Sequence, residues 1–385
     1  MAAYSSICES ETTKLLKDES CISELHKWIW LTVLPAIPGC YKSRLLPLFS
    51  DIHELYAADV EKLQFRGIHQ QEAFDILLSS KHRERAWTII DESKSMGISP
   101  IHINNPEYPF LLKMIPDAPL VLYRLGEPIT GRCISVVGSR RATGYGINMA
   151  ERLSSDLADA GFVIISGMAR GIDTAAHTGA LKSGGKTIAV LANSVDIIYP
   201  PENRALSERI VKNGTLLSEY PPGTPPLSYY FPVRNRIISG LSEAVLVIEA
   251  GEKSGSLITV QCALEQGRDV FAVPGNALSV TSRGCNRIIR EGAGLVQEVE
   301  DILESLHEPE TFQKKTKHSK LKNNLETLAY TERMLLNRIR MEPLSTGALC
   351  AQTGMNASEV QQTLLLLELK NVIIRDLDGT IHPRN

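Results

Sequence analysis

From Cys133 onward, short runs of small and β-branched apolar residues alternate with stretches of helical periodicity, and this alternation limits the chain's possible folds more than any other feature. The runs are Ile134 to Val137, Phe162 to Ile165, Thr187 to Leu191, Thr215 to Leu217, Ala244 to Ile248 and Val270 to Val273. Such a pattern means βαβ units and a mostly parallel sheet, and the near-continuous apolar character of each run predicts helices on both faces. The first run leads directly into Gly138-Ser139-Arg140-Arg141 and a helix expected from Tyr145 to Ala160. A strand, a glycine loop and a helix start beside two arginines predict an anion site. The N–H groups at the helix start carry partial positive charge, and Arg140 can grip a phosphate with two parallel hydrogen bonds.

The flanking sequence is of a different kind. At 385 residues the chain exceeds one ordinary domain, and its 43% apolar content suffices for more than one core. After a polar tail over 1–24, residues 25–100 read as an all-α module in which Ile37-Pro38-Gly39 and Phe65-Arg66-Gly67-Ile68 each join two helices, as in a helix-hairpin-helix or SAM-like unit. The glycines there could let backbone N–H groups approach a phosphate, or the hairpins could simply pack. Cys40 and Tyr41 stand where a second glycine is usual. The proline- and aromatic-rich text from Ile101 to Pro128 reads as an extended lead-in to a sheet domain over 101–306. Residues 307–326 are a lysine-rich, aperiodic linker. In 327–385 the text reads as helices Thr331 to Met341, Leu344 to Thr353 and one from a capping box at Asn356 and Glu359 through Leu369. Asp378-Gly379 then turns a hairpin between Val372 to Asp376 and Thr380 to His382, completing a winged-helix pattern. Its third helix carries Glu359 and Glu368, with only Lys370 near its end, which suits a protein-contact or regulatory module better than a groove reader.

Charge and cysteines set further bounds. With 41 Lys plus Arg against 44 Asp plus Glu, a net charge of −3 confines any nucleic-acid surface to a local patch. The seven cysteines are scattered, odd in number and without a C-x-x-C pair, which fits reduced thiols in a cytoplasm. The opening lacks the apolar run of a signal peptide, and no stretch approaches the roughly 20 apolar residues of a membrane span. A soluble, cytoplasmic protein is expected.

The unusual residues gather in the loops after the expected strands. They are Gly138-Ser139-Arg140, Ser166 to Gly171 with Arg170, Tyr199 to Arg204, Phe231 to Arg236, and Glu249 to Ser256. Nearly every loop supplies an Arg, Lys or Asn, so one sheet edge should carry a basic ridge fit for a polyanion. Dinucleotide binding is disfavoured, because the first loop is not G-x-G-x-x-G and the second strand ends in Ser166-Gly167 where an acidic ribose partner would stand. Asp173 and His177 are four apart on one helix and could serve a hydrolase, although Asp173 as an N-cap and His177 as a packed side chain is the stronger reading. No metal-spaced Cys/His set, H-E-x-x-H or G-x-S-x-G is present, and no cofactor is indicated. Ser254-Gly255-Ser256 could hold a phosphate or merely cap a helix.

These loops carry a family resemblance. The segments SGMARGIDTAAHTGAL from Ser166, YPPENRAL, LLSEYPPGTPP, FPVRNRIISGLSEAVLVIEAGEKSGSLIT, ALEQGRDVFAVPGN and SRGCNRIIREGA, with Gly138-Ser139-Arg140, resemble the DNA-processing protein A (DprA/Smf) family over roughly Asn104 to Leu306. The resemblance implies an extended Rossmann-like α/β domain, with the helical front end and winged-helix tail of the family's longer members. It further implies a non-catalytic homodimer that binds and protects single-stranded DNA and hands it to a RecA-type recombinase in natural transformation. Carried over by motif position, the DNA pocket would comprise Ser139, Arg140, Arg170, Asn235, Arg236, Lys253, Ser254 and Ser256, with Phe231 as a stacking platform and Arg204 as a weaker member. Ser228-Tyr229-Tyr230 stands where relatives often place a lysine or asparagine, so that phosphate contact is not expected. Phe231 lies between a polar turn and Arg234-Asn235-Arg236, and could instead be a core residue. The rival function is a nucleotide-processing enzyme, such as a phosphoribohydrolase, using the Gly-Ser-Arg and Ser-Gly-Ser loops.

Overall fold

The computed structural model describes residues 22–36, 45–306, 330–341, 344–370, 372–376 and 380–383, in two compact units that divide at Glu308. Among the described residues of the first unit five α-helices come first: α1 (Glu24–Val33), α2 (Ile52–Tyr56), α3 (Val60–Phe65), α4 (Gln71–Leu77) and α5 (Ser80–Ser95). The chain then runs β1 (Ser99–His102), α6 (Phe110–Lys113), β2 (Val121–Gly126), β3 (Cys133–Val137), α7 (Gly144–Asp159), β4 (Val163–Ser166), α8 (Ile172–Lys182) and β5 (Thr187–Val190). It continues with α9 (Arg204–Asn213), β6 (Gly214–Ser218), α10 (Tyr230–Gly240), β7 (Ala244–Val247), α11 (Ser256–Glu265), β8 (Asp269–Ala272), α12 (Arg283–Arg290), β9 (Gly294–Leu295) and α13 (Val299–Ser305).

The nine strands form one sheet in the order β1-β2-β6-β5-β4-β3-β7-β8-β9. Strands β3 to β9 pair in parallel, whereas β2 is antiparallel to β6 and β1 to β2. The six apolar runs are β3 to β8 to within about a residue, and the proline-rich lead-in contributes the two antiparallel edge strands. Alternation along β3 shows why its run is nearly all apolar: Ile134 and Val136 enter the core on one face, Cys133 and Val137 the core on the other, and the one polar residue, Ser135, is buried with its hydroxyl donating to Ile238 O at 2.9 Å. A strand covered on both sides has no solvent face to place a polar residue, and each fully buried aliphatic contributes about 1.5–3 kcal/mol.

The front helices do not form a separate core. Trp28, Trp30 and Leu31 of α1 are buried in one cluster with Val121 and Tyr123 of β2 and Leu216 of β6. The first expected hairpin, Ile37 to Gly39 with Cys40 and Tyr41, lies outside the described residues. In the second, Gly67 turns the chain at φ +86°, but its N–H donates to Gln64 O at 3.0 Å and Arg66 is held by Glu54 at 2.9 Å. These groups serve the turn, which favours the packing role.

The second unit contains α14 (Tyr330–Met341), β10 (Leu344–Ser345), α15 (Thr346–Thr353), α16 (Ala357–Leu369), β11 (Ile373–Arg375) and β12 (Thr380–Pro383), with strand order β10-β12-β11. This is a winged helix. Its capping box is formed: Glu359 N donates to Asn356 Oδ1 at 2.9 Å, and Asn356 N to Glu359 Oε2 at 3.3 Å. Leu344 and Ser345 are a short strand, because they pair with Ile381 and Thr380 before α15 begins. The Asp378-Gly379 turn and the linker lie outside the described residues. On α16, Gln361, Gln362, Leu365 and Leu366 face solvent.

Candidate functional site

Successive strands run outward from β3 in both directions, β4 to β6 on one side and β7 to β9 on the other. Where the order reverses, the loops after β3 and β7 must part, and a crevice opens at the carboxyl ends. A cleft of about 730 Å³ lies there. One wall is Ser139, Arg140 and Arg141, and the opposite wall is Ser254, Gly255 and Ser256 at the start of α11. Tyr199, Phe231 and Asn235 also line it, with Asp173 and Arg234.

Arg234 and Asp173 are buried charges, 3% and 8% exposed. Arg234 Nη1 donates to Val190 O at 2.6 Å. Burial lowers its pKa to about 10, against the pull of Asp173, so it stays charged at neutral pH. Burial raises the pKa of Asp173, opposed by Arg234. Three arginines against one carboxylate leave the lining positive.

Asp173 is not an N-cap. Gly171 holds that position at φ +74°, while Asp173 Oδ2 accepts from Gly167 N and Ala169 N, each at 3.2 Å, and so ties down the loop after β4. His177 is fully buried and points elsewhere. Its Nδ1 bonds Thr187 Oγ1 at 2.6 Å, and because that hydroxyl is spent on Ile164 O, the imidazole is the donor. Burial lowers its pKa to about 3, so it is neutral. Asp173 and His177 share a helix but not a site.

The predicted residues divide into two groups. Ser139, Arg140, Phe231, Asn235, Ser254 and Ser256 meet at the cleft. The Arg140 guanidinium lies over the Phe231 ring, 5.0 Å from its centroid, and Tyr199 meets that ring edge-on at 5.8 Å and 63°. Phe231 is half-buried, outside every described core cluster, and sits in the first turn of α10 rather than in a loop. Asn235 Nδ2 donates to Gly255 O at 3.3 Å, joining α10 to α11. The cap residue of α11, Gly255, has no side chain, and Ser256 N donates to Ser254 Oγ at 3.4 Å. Ser254 and Ser256 share a hydroxyl hydrogen bond of 2.8 Å, so this helix start faces the cleft with its dipole uncompensated by a carboxylate.

Arg170, Arg204, Lys253 and Arg236 do not line the cleft. Arg170 is exposed and paired with Glu202, and Arg204 and Lys253 are exposed. Arg236 corrects an expectation outright. It lies inside helix α10, not in a loop, and gives Nη1 and Nη2 to Glu219 at 2.9 and 2.8 Å and Nε to the Asp117 carbonyl at 3.1 Å, with the Asp117 carboxylate in an ion pair at 2.9 Å. A guanidinium so engaged, with 14% of its side chain exposed, is a structural tie. Arg236→Ala is therefore expected to cost about 2 kcal/mol of stability through lost charge-assisted hydrogen bonds, with the salt dependence of any polyanion binding intact. Thermal denaturation beside a salt titration checks both.

The expected anion seat at the start of α7 is corrected as well. The carboxylate of Glu249, from the loop after β7, accepts the Thr143 N–H at 3.2 and 3.3 Å and the Thr143 hydroxyl at 2.5 Å. The chain's own anion fills that seat. Arg141, Tyr199 and Arg234, which the motif positions leave out of the expected DNA pocket, also line the cleft. Tyr199 and Arg234 lie within the YPPENRAL and FPVRNR motifs, but only the folded chain brings these motifs together.

Comparison with known proteins places this geometry. The family model described as DNA recombination-mediator protein A matches residues 99–307, and that of the DprA winged helix domain residues 320–379. The DNA processing protein DprA of Bacillus subtilis (strain 168) is 46% identical over 218 residues, 56% of this chain and 73% of the relative. That of Streptococcus pneumoniae (strain ATCC BAA-255 / R6) is 47% identical over 198 residues, 51% and 70% of the two chains. The X-ray structure of DNA processing protein A from Streptococcus pneumoniae matches with a TM-score of 0.55 at 38% identity, covering 69% of this chain and 95% of that one. No helix among the described residues is long and apolar enough to cross a membrane.

Proposed function

This chain belongs to the DNA recombination-mediator protein A (DprA/Smf) family, and on that footing we propose that its cleft holds single-stranded DNA without catalysing a reaction. The observation that carries the reading is Arg140 stacked on Phe231 in the cleft that the start of α11 also lines. A single strand offers phosphates and the flat faces of its bases, and this arrangement offers a cation, an aromatic face and the Ser254 and Ser256 hydroxyls at the positive end of a helix dipole within one crevice. With the family's DNA-processing role, the reading extends to protecting incoming strands in the cytoplasm and loading a RecA-type recombinase during natural transformation. A homodimer would present two such clefts to one flexible strand, gaining avidity with no new contact. The cleft needs no cofactor for this work. The rival reading, a nucleotide-processing enzyme, has against it the buried, neutral His177 turned to Thr187 and the occupied start of α7.

One titration tests the proposal: single-stranded DNA against nucleoside monophosphates at two salt concentrations, with wild type and Arg140→Ala. Wild type is expected to bind the oligomer far better than the monomers and with strong salt dependence. Arg140→Ala should weaken all sequences alike and flatten the log–log salt slope by about 0.7, the share of one phosphate on a single strand. Unchanged affinity and slope would remove the cleft from the account.

A further inference from the structure

The start of α7 is where a strand-loop-helix unit of this type offers its strongest phosphate seat, because several N–H groups converge there with the helix dipole behind them. Glu249 is 3% exposed and spends its carboxylate on that spot. Besides Thr143 N and Oγ1, it lies over the first helical turn so closely that a Cβ built on Gly146 would stand 2.7 Å from Oε2. The main chain reinforces the placement, since Ser139 N donates to Glu249 O at 2.7 Å. Loop, helix start and carboxylate thus form one closed unit beside the cleft wall that carries Ser139 and Arg140.

Resting on the proposed single-strand reading, we infer that Glu249 is a specificity-determining residue that reserves the cleft for the phosphodiesters of a strand and rejects terminal phosphates. The mechanism is steric and electrostatic together. A terminal phosphate carries about −1.5 to −2 charges near neutral pH and needs several converging donors. At that helix start the Glu249 carboxylate already holds the Thr143 N–H and hydroxyl, and Gly146 N is spent on Thr143 Oγ1, so a second anion meets repulsion and finds these donors taken. An internal phosphodiester carries a single charge and needs less. Arg140 and the start of α11, which line the cleft itself, suffice to hold it. A mononucleotide or a phosphorylated strand end therefore gains nothing over an internal phosphate, which suits a protein that must grip a strand at any point along its length.

The wild-type protein supplies the first test, free of any folding question. An oligothymidylate with a 5′-phosphate is expected to bind as tightly as one with a 5′-hydroxyl. Inorganic phosphate and thymidine monophosphate should displace the oligomer no better than sodium chloride of equal ionic strength. Tighter binding of the phosphorylated end, or specific displacement by either small anion, overturns the inference. In the second test, Glu249→Ala and Glu249→Gln vacate or neutralise the seat. The ratio of thymidine monophosphate affinity to oligomer affinity is expected to rise about tenfold in variants whose melting curve shows them folded, equal to about 1.4 kcal/mol. A folded variant with an unchanged ratio overturns the inference. The single-strand reading itself fails on a different result, namely wild type that ignores the oligomer or an Arg140→Ala variant that binds it normally.

Discussion

Arg234→Ala is expected to cost about 3–5 kcal/mol of stability, through a lost charge-assisted hydrogen bond to a buried carbonyl and the loss of a favourable charge near buried Asp173. Arg234 is 3% exposed, holds Val190 O at 2.6 Å, and is the nearby countercharge for Asp173, whose carboxylate anchors the amides of Gly167 and Ala169. Its loss leaves a buried carboxylate uncompensated and a void below the cleft. For a unit of this size the melting temperature should fall by roughly 10 °C. A lysine cannot replace it. The guanidinium lies flat against the Gly167 backbone, so near that a Cβ on Gly167 would stand 2.0 Å from Nη1, and a tetrahedral ammonium has neither the shape nor the second nitrogen for that slot. Gly167→Ala should destabilise for the same reason from the other side, by driving the guanidinium off Val190. Calorimetry on Arg234→Ala, Arg234→Lys and Gly167→Ala measures this. A melting temperature unchanged in all three would show that the cleft floor does not depend on the buried pair.

Phe231→Ala is expected to cost about 1–3 kcal/mol of single-strand affinity, with little change in melting temperature. The alternative, that Phe231 is a core residue, would cost about 3–5 kcal/mol of stability instead. The structure weighs against that alternative, since Phe231 is half-buried and belongs to no described core cluster. One complication is the Arg140 guanidinium already on the ring, an exposed cation–π contact worth about 0.5–1 kcal/mol. A base must either displace Arg140 toward a phosphate or stack on the guanidinium, and both routes lose their support when the ring is removed. Phe231→Trp should be tolerated because it enlarges the same platform. Melting temperature and affinity measured on both variants decide the matter, and a destabilised Phe231→Ala that still binds normally when folded refutes the stacking role.

Much of the parallel sheet was legible before any coordinates. Strands β3 to β8 follow from apolar runs broken only by small hydroxyl residues such as Ser135, Thr187 and Thr215, a pattern that fits helices covering both faces. The winged helix was legible for a different reason: its capping box and helical spacings are local, so neighbouring residues carry the whole signal. Where the front module packs was not legible, because Trp28 and Trp30 reveal that they are apolar but not which surface buries them, and they share a cluster with β2 and β6.

In the candidate site the division is sharper. Sequence alone determined which residue types stand after which strands, and so which loops would meet at the carboxyl edge: Gly138-Ser139-Arg140, Phe231 and Ser254 to Ser256 all reach the cleft. Only the tertiary structure decided what each cation is free to do. Arg140 and Arg236 look alike in the text, each an arginine in a polar motif. Folding brings Glu219, 17 residues upstream of Arg236, and Asp117, more distant still, onto its guanidinium, while the stacked Arg140 remains exposed at the cleft. The start of α7 likewise reads as an open anion seat until Glu249, 106 residues from Thr143, closes it. Charge pairing depends on distance in space, and a carboxylate over a hundred residues away leaves no local mark on the sequence it will neutralise.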